Sequence, residues 1–215
     1  MFPQYAHELL KICEEEGLHL GEVAVRHEVE ESDASREEVL DELKEVIQVM
    51  KLAATEGRRR LVFSVSGLIG GDSTKISAYA KTGQSITGDV MTNAMAYAMS
   101  SSEVNAAMGR IVAAPTAGAC GILPAVLKTF ADRRQTTEAE LVQALSVAGA
   151  MGIIIGQNAT ISGAEGGCQA ETGSAAAMAA GAAVYLMGGT PQMCLDAGAI
   201  VLMNMLGLVC DPVAG

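Results

Sequence analysis

From Leu141 to Gly215 the chain contains no lysine or arginine, and this same stretch holds three apolar runs, ALSVAGAMGIIIG, AAAMAAGAAVYLMGG and AGAIVLMNMLGLV. Segments so poor in charge must be covered by something. Each run is shorter than the roughly 20 residues that a bilayer requires, and none has the basic flanks that set membrane topology. They read instead as helices buried on all sides, rich in alanine and glycine so that their backbones can approach closely. Almost nothing in the chain alternates with a period of two, so the expected fold is all-α, a bundle-like arrangement with glycine-rich loops at the helix ends. With 215 residues, 50% of them hydrophobic, a sizeable core can form.

The formal charge of -11 is unevenly placed, because 15 of the 25 acidic residues fall in the first 60 positions. Nucleic acid is therefore not expected as a partner. The opening MFPQYAHELL has neither a basic start nor a long apolar run, which points to the cytoplasm. Cys13, Cys120, Cys168, Cys194 and Cys210 are odd in number and widely spaced, which argues against a disulfide scaffold and leaves buried thiols or metal ligands.

Three acidic amphipathic segments come first: one from about Pro3 to a stop at Gly17, one near Leu20 to Glu30, and a long third. In the third, Ser35 and Glu38 form an S-x-x-E capping box, apolar residues recur at Val39, Leu43, Ile47 and Met50, and Gly57 marks the end. The acidic runs read as solvated faces. After Arg58, Arg59 and Arg60 the composition changes to LVFSVSGLIGGDSTK, a short β-like run followed by glycine turns and a helix from about Ser73. The expected division is thus 1–58, acidic N-terminal helices, and 59–215, a helical core, the two packed as one domain. Further helices are expected at about 87–108, 123–133, from the second capping box at Thr137, at 174–187, and at 191–207, where Thr190 is the N-cap and Pro191 the first helical residue.

Three glycine-bearing loops precede helices: SGLIGGDSTK (66–75), PTAGACG (115–121) and NATISGAEGGCQAETGS (158–174). Free N–H groups at a helix start attract anions, so each could hold a substrate carboxylate. The first lacks the spacing of a phosphate loop. Cys13 and Cys194 read as small core residues, while Cys120 is ambiguous. Cys168 and Cys210 lie outside the predicted helices, the first behind two glycines between Glu165 and Glu171 and the second in GLVCDPVAG. Spacing alone leaves them either structural or ligating.

The strings EVNAAMGRIVAAPTAGACGILPAVL, NATISGAEGGCQAETGSAAAM and GLVCDPVAG together resemble the α-subunit, or catalytic α-domain, of the iron-sulfur-dependent L-serine dehydratases. The likeness is strong over about residues 60–215 and looser over the acidic helices before them. It implies a lyase of amino-acid degradation and gluconeogenesis that deaminates L-serine to pyruvate and ammonia, with a 4Fe-4S cluster whose fourth iron binds substrate. The family's GAEGGCQAE cysteine falls on Cys168 and its CDPVAG cysteine on Cys210. Its third cysteine is expected about ten residues after CDPVAG, past Gly215, so the chain as it stands is expected to lack an intact cluster.

What the resemblance implies of the remaining machinery is less local. The catalytic base is expected to be a histidine of a β-subunit carrying a Ser-Ser-His-Thr type of motif. No such string occurs here, and His7, His19 and His27 read as surface or helix-end residues. Lys75, Thr116, Gly118, Asn158 and Ser162 are the candidate substrate contacts, and an oligomer off the membrane is expected. Two other readings stay open: a pyridoxal-phosphate lyase using Lys75 or Lys81, and a non-catalytic helical assembly protein.

Overall fold

The computed structural model of the chain describes residues 1–207, so Cys210 lies outside the described residues. Ten α-helices account for most of them: α1 Ala6–Glu16, α2 Leu20–Ser32, α3 Arg36–Arg59, α4 Asp72–Ala80, α5 Gly88–Ala106, α6 Ile122–Arg134, α7 Glu138–Asn158, the single-turn α8 Gly163–Gly166, α9 Cys168–Leu186 and α10 Pro191–Met205. The expected all-α class is what is found. In place of the β-like run at 61–65 there is one isolated bridge, Phe63 to Gly70, because the run folds straight back through Gly67, Gly70 and Gly71, all at positive φ. A chain that reverses within a few residues has no length left to extend a ladder.

Helix starts follow their local chemistry. The Ser35 N–H donates to Glu38 Oε2 at 2.8 Å and the Glu38 N–H to Ser35 Oγ at 3.2 Å, and Thr137 with Glu140 repeats the exchange at 2.7 and 3.3 Å. Thr190 Oγ1 accepts from the Met193 N–H at 3.3 Å, ahead of Pro191. Gly17 ends α1 in the left-handed conformation, φ 67°. Gly57 behaves otherwise. It lies inside α3, which runs on to Arg59, and its role is close packing rather than termination.

The chain forms two compact units, Met1–Leu40 with Gln143–Gly215 and Asp41–Val142, and α3 and α7 have residues in both. In the first, α9 packs along α10, and small residues make room for a large one. A Cβ added at Gly181 of α9 or at Gly198 of α10 would run into the Met151 side chain of α7. Ala175, Ala177, Ala179 and Ala182 are all buried beside them in sequence. The alanine-rich tract is therefore a packing surface shaped around a thioether. Among the described residues, α7 is the one helix long and apolar enough to cross a membrane, and half of its most apolar window is buried inside the protein.

His19 is part of this unit as the N-cap residue of α2. Its Nε2–H donates to the Gly189 carbonyl at 3.3 Å, its ring meets Tyr185 edge-on at 4.7 Å, and Nδ1 is buried without a hydrogen-bond partner among the described residues. Burial lowers its pKa from the ordinary 6.5, only partly offset by the Gly189 bond. The unfolded chain therefore takes up the proton first as pH falls. His19 stabilises the fold above the unfolded value, and that stability is lost as pH drops through it. Replacing His19 with Gln, which keeps a donor but does not titrate, should flatten the decline in melting temperature between about pH 7.5 and pH 5. An unchanged decline would place the acid sensitivity elsewhere.

The second unit is organised around a polar seam where α3, α4 and α5 meet. Ser100 Oγ accepts from the Gly57 N–H at 2.8 Å and donates to the Ala53 carbonyl at 2.6 Å, while Thr74 Oγ1 donates to the Gly57 carbonyl at 2.6 Å. Ser73 Oγ donates to the Ala96 carbonyl at 2.8 Å. Beside the seam, Ala54, Tyr97 and Ala125 pack together with Ala98 against them. Arg58, read from sequence only as part of a basic junction, spans to Ser77 Oγ at 2.8 Å and Asn93 Oδ1 at 2.7 Å, with its guanidinium 4.3 Å from the Tyr97 ring centre.

Candidate functional site

In the first unit, α7 ends at Asn158, whose Nδ2 donates to the Gln4 carbonyl at 2.6 Å and the Ile154 carbonyl at 2.8 Å. Thr160 Oγ1 then donates to Glu165 Oε2 at 2.7 Å and accepts from the Ser162 N–H at 3.1 Å. Ser162 is the N-cap residue of α8, and α9 begins directly at Cys168, six residues earlier than the sequence suggests. Cys168 is thus the first residue of a helix and not a loop residue. Thr172 Oγ1 donates to its carbonyl at 2.9 Å, and the thiol is exposed.

The two glycines before Cys168 have different reasons to be there. Gly167 holds φ 76°, a conformation that favours glycine. Gly166 has no room for a side chain, since a Cβ would fall 2.7 Å from Ala170 Cβ and 2.8 Å from Thr160 Cγ2. Gly163 likewise faces the Glu171 carboxylate, 2.6 Å from where its Cβ would be. Together they hold a short turn against the helix start and leave Cys168 facing solvent.

The other cysteines contrast with it. Cys13, Cys120 and Cys194 are buried, and burial raises the pKa of each thiol, that of Cys194 to about 11. Cys120, ambiguous in sequence, donates its thiol toward the Ser101 carbonyl at 3.7 Å and is a core residue. Such thiols are poor ligands and poor nucleophiles.

The remaining candidates lie in the second unit. Lys75 projects into solvent from α4, paired with Asp72 at 2.9 Å. That hydrogen bond, with smaller contributions from the charges of Asp72 and Glu103, raises the lysine pKa above its ordinary value. Thr116 Oγ1 is buried with no hydrogen-bond partner among the described residues, and Gly118 lies in the single 3-10 turn Ala117–Ala119 that follows it. A buried hydroxyl without a protein partner is a group waiting for an acceptor.

Sequence reasoning missed Glu103, which is fully buried, and Gln169, next to Cys168 in sequence, whose Nε2 is buried without a partner among the described residues. Glu103 had one legible signal, being the only acidic residue from Val90 to Ala131. Among the described residues no group of three or more His, Cys, Asp or Glu side chains is placed to hold a metal. The described donor set fits an iron-sulfur cluster at one position, Cys168, where an exposed sulfur lies at a helix start whose dipole favours an anionic ligand.

With this geometry in place, comparison supplies the class. A family model described as the serine dehydratase alpha chain matches residues 15–215. The chain belongs to the serine dehydratase alpha chain family. Among its relatives, a probable L-serine dehydratase alpha chain of Bacillus subtilis is 43% identical over 208 residues, covering 97% of this chain and 69% of that protein. The L-serine dehydratase alpha chain of Peptoniphilus asaccharolyticus is 42% identical over 210 residues, 98% of this chain and 72% of that one. An L-serine dehydratase of Escherichia coli is 38% identical, and there the chain spans 47% of the relative's length.

Proposed function

We propose that this chain is the alpha subunit of a two-subunit L-serine dehydratase that forms pyruvate and ammonia with the help of a 4Fe-4S cluster. The observation that carries the reading is the family match through residues 15–215, which takes in the GAEGGCQAE segment and its exposed Cys168. Cys168 and Cys210 would hold the cluster, and when bound it supplies a Lewis-acidic iron for the substrate hydroxyl.

The chemistry asked of the protein is specific. The α-proton of serine must pass to a base while the hydroxyl leaves the β-carbon, giving aminoacrylate. That enamine tautomerises to the imine, and water then releases ammonia and leaves pyruvate. The base is assigned to a histidine of the partner subunit. Within this chain, the Thr116 hydroxyl, which has no acceptor among the described residues, suits a substrate carboxylate, and the Lys75 ammonium suits the same charge. Asn158 commits its amide nitrogen to the Gln4 and Ile154 carbonyls, leaving its oxygen to accept from the substrate ammonium. Gly118 in the second unit and Ser162 in the first are each a further candidate contact through backbone groups.

The pyridoxal-phosphate alternative is not favoured. A Schiff-base lysine is activated by a lowered pKa, whereas Asp72 holds Lys75 charged. The deciding experiment is anaerobic reconstitution of the chain, extended past Gly215 to take in the expected third cysteine, together with its partner subunit, iron and sulfide, followed by pyruvate formation from L-serine. Turnover that appears with cluster absorbance and disappears on iron chelation is expected. Serine turnover that survives chelation, or a metal-free protein that absorbs as an aldimine, would overturn the reading.

A further inference from the structure

The start of α4 is capped from another helix and not by its own N-cap residue. The N-cap position is Gly71, at φ 80°, with no side chain to accept from the first N–H groups. Glu103, 31 residues away on α5, does so instead. Its Oε1 accepts from the Asp72 N–H at 2.6 Å and from the Ser73 N–H at 3.0 Å. Glu103 is 0% exposed, and its Oε2 has no hydrogen-bond partner among the described residues. That oxygen sits where Gly57 leaves space, 2.6 Å from the position a Cβ would take.

A serine or aspartate at the N-cap would satisfy the same donors locally, so the use of a fully buried carboxyl group from another helix calls for a reason. The loop ahead of α4 gives a reason for the arrangement. Leu68 and Ile69 are exposed, at 77% and 54%, Gly67, Gly70 and Gly71 all hold positive φ, and the buried apolar side chain that steadies the turn is Val62, ahead of it in sequence. Glu103 ties the end of this loop to the rigid α5. The element it fixes carries Lys75, one helical turn further on.

We propose that Glu103 is a positioning residue for substrate binding, holding the first turn of α4 so that Lys75 is presented in a fixed place. The inference rests on the reading of Lys75 as a substrate contact. The shape of the site makes Glu103→Gln informative. The amide nitrogen must point either at the two N–H donors or into the space against Gly57, and both choices leave a buried donor unmatched.

The test uses the reconstituted two-subunit enzyme and measures two things: serine kinetics, and amide hydrogen exchange at Asp72 and Ser73. Glu103→Gln is expected to speed exchange at those amides and raise KM for serine by about tenfold, with kcat changed far less. In a Lys75→Ala background the same substitution should add nothing further to KM. Ser100→Ala, which loosens the α3–α5 seam without touching α4, should leave KM unchanged, so a KM effect there would reveal general damage and overturn the proposal. If Glu103→Gln does not fold, Asp72→Pro compared with Asp72→Asn removes one of the two donors at a helix position where proline is tolerated.

Additive losses in the double variant, unaltered exchange, or a Lys75→Ala enzyme with ordinary KM would each overturn the proposal. A wild-type enzyme with no serine turnover would instead sink the serine reading. The exchange rates at Asp72 and Ser73 would then still decide whether Glu103 holds the loop.

Discussion

Cys168→Ser is expected to abolish serine deamination by the assembled enzyme while the cluster-free protein melts within about 1–2 °C of the parent. The thiol is exposed at the first residue of α9, so the fold loses no buried contact when sulfur becomes oxygen. What is lost is a soft ligand, which a serine hydroxyl does not replace in a thiolate-held centre. Cys194→Ser should do the reverse. That side chain is 0% exposed, and its sulfur lies 4.0 Å from His19 Nε2, which already donates to Gly189. A hydroxyl placed there is poorly satisfied and costs about 1–3 kcal/mol. The measurements are anaerobic pyruvate formation, cluster absorbance, and melts of the cluster-free chains, since bound cluster would stabilise the native state by mass action. Full activity in Cys168→Ser would remove Cys168 from the ligand set.

Helix starts were legible because their determinants are local. Ser35 with Glu38, Thr137 with Glu140, and Thr190 with Pro191 each satisfy their orphan N–H groups within four residues, so short sequence windows contain the whole interaction. Gly57 was misread because a glycine that ends a helix and one that admits a neighbour look alike in one dimension. Only the Glu103 and Ser100 side chains, more than 40 residues on, distinguish them. The early start of α9 was hidden for a related reason, since Gly166 and Gly167 before Cys168 and Gly173 after it read together as one long loop.

The candidate site divides along the same line. A resemblance carried by three strings picked out Cys168, and the structure adds that it alone of the four described cysteines is exposed. Glu103 opens the first of those strings but was not singled out there, because its partners are backbone groups and backbone groups have no sequence. Thr116 was chosen for lying in a glycine loop, whereas its interest in three dimensions is the buried hydroxyl with no hydrogen-bond partner among the described residues.

The glycines of PTAGACG invite the same question, and Gly121 gives the second large effect. It precedes α6 with ordinary negative φ, so its identity is not demanded by backbone conformation. Space demands it: a Cβ at Gly121 would fall 2.5 Å from the Ala98 carbonyl oxygen and 3.1 Å from Ser102 Oγ. The first of these is backbone of α5, which cannot rotate aside as a side chain can. Gly121→Ala must therefore push α6 away from α5, where Leu123, Ala125 and Leu127 are buried. Overpacking of this kind costs about 2–3 kcal/mol, or a fall of roughly 5–10 °C in melting temperature. Gly67→Ala is the comparison. Its φ of 74° is strained for alanine, but nothing lies within 4 Å of its Cβ position, so the cost should stay near 1 kcal/mol. If the two variants melted alike, conformation and not contact would be the reason for glycine in both loops, and the close approach of α5 and α6 at Gly121 would have to be abandoned.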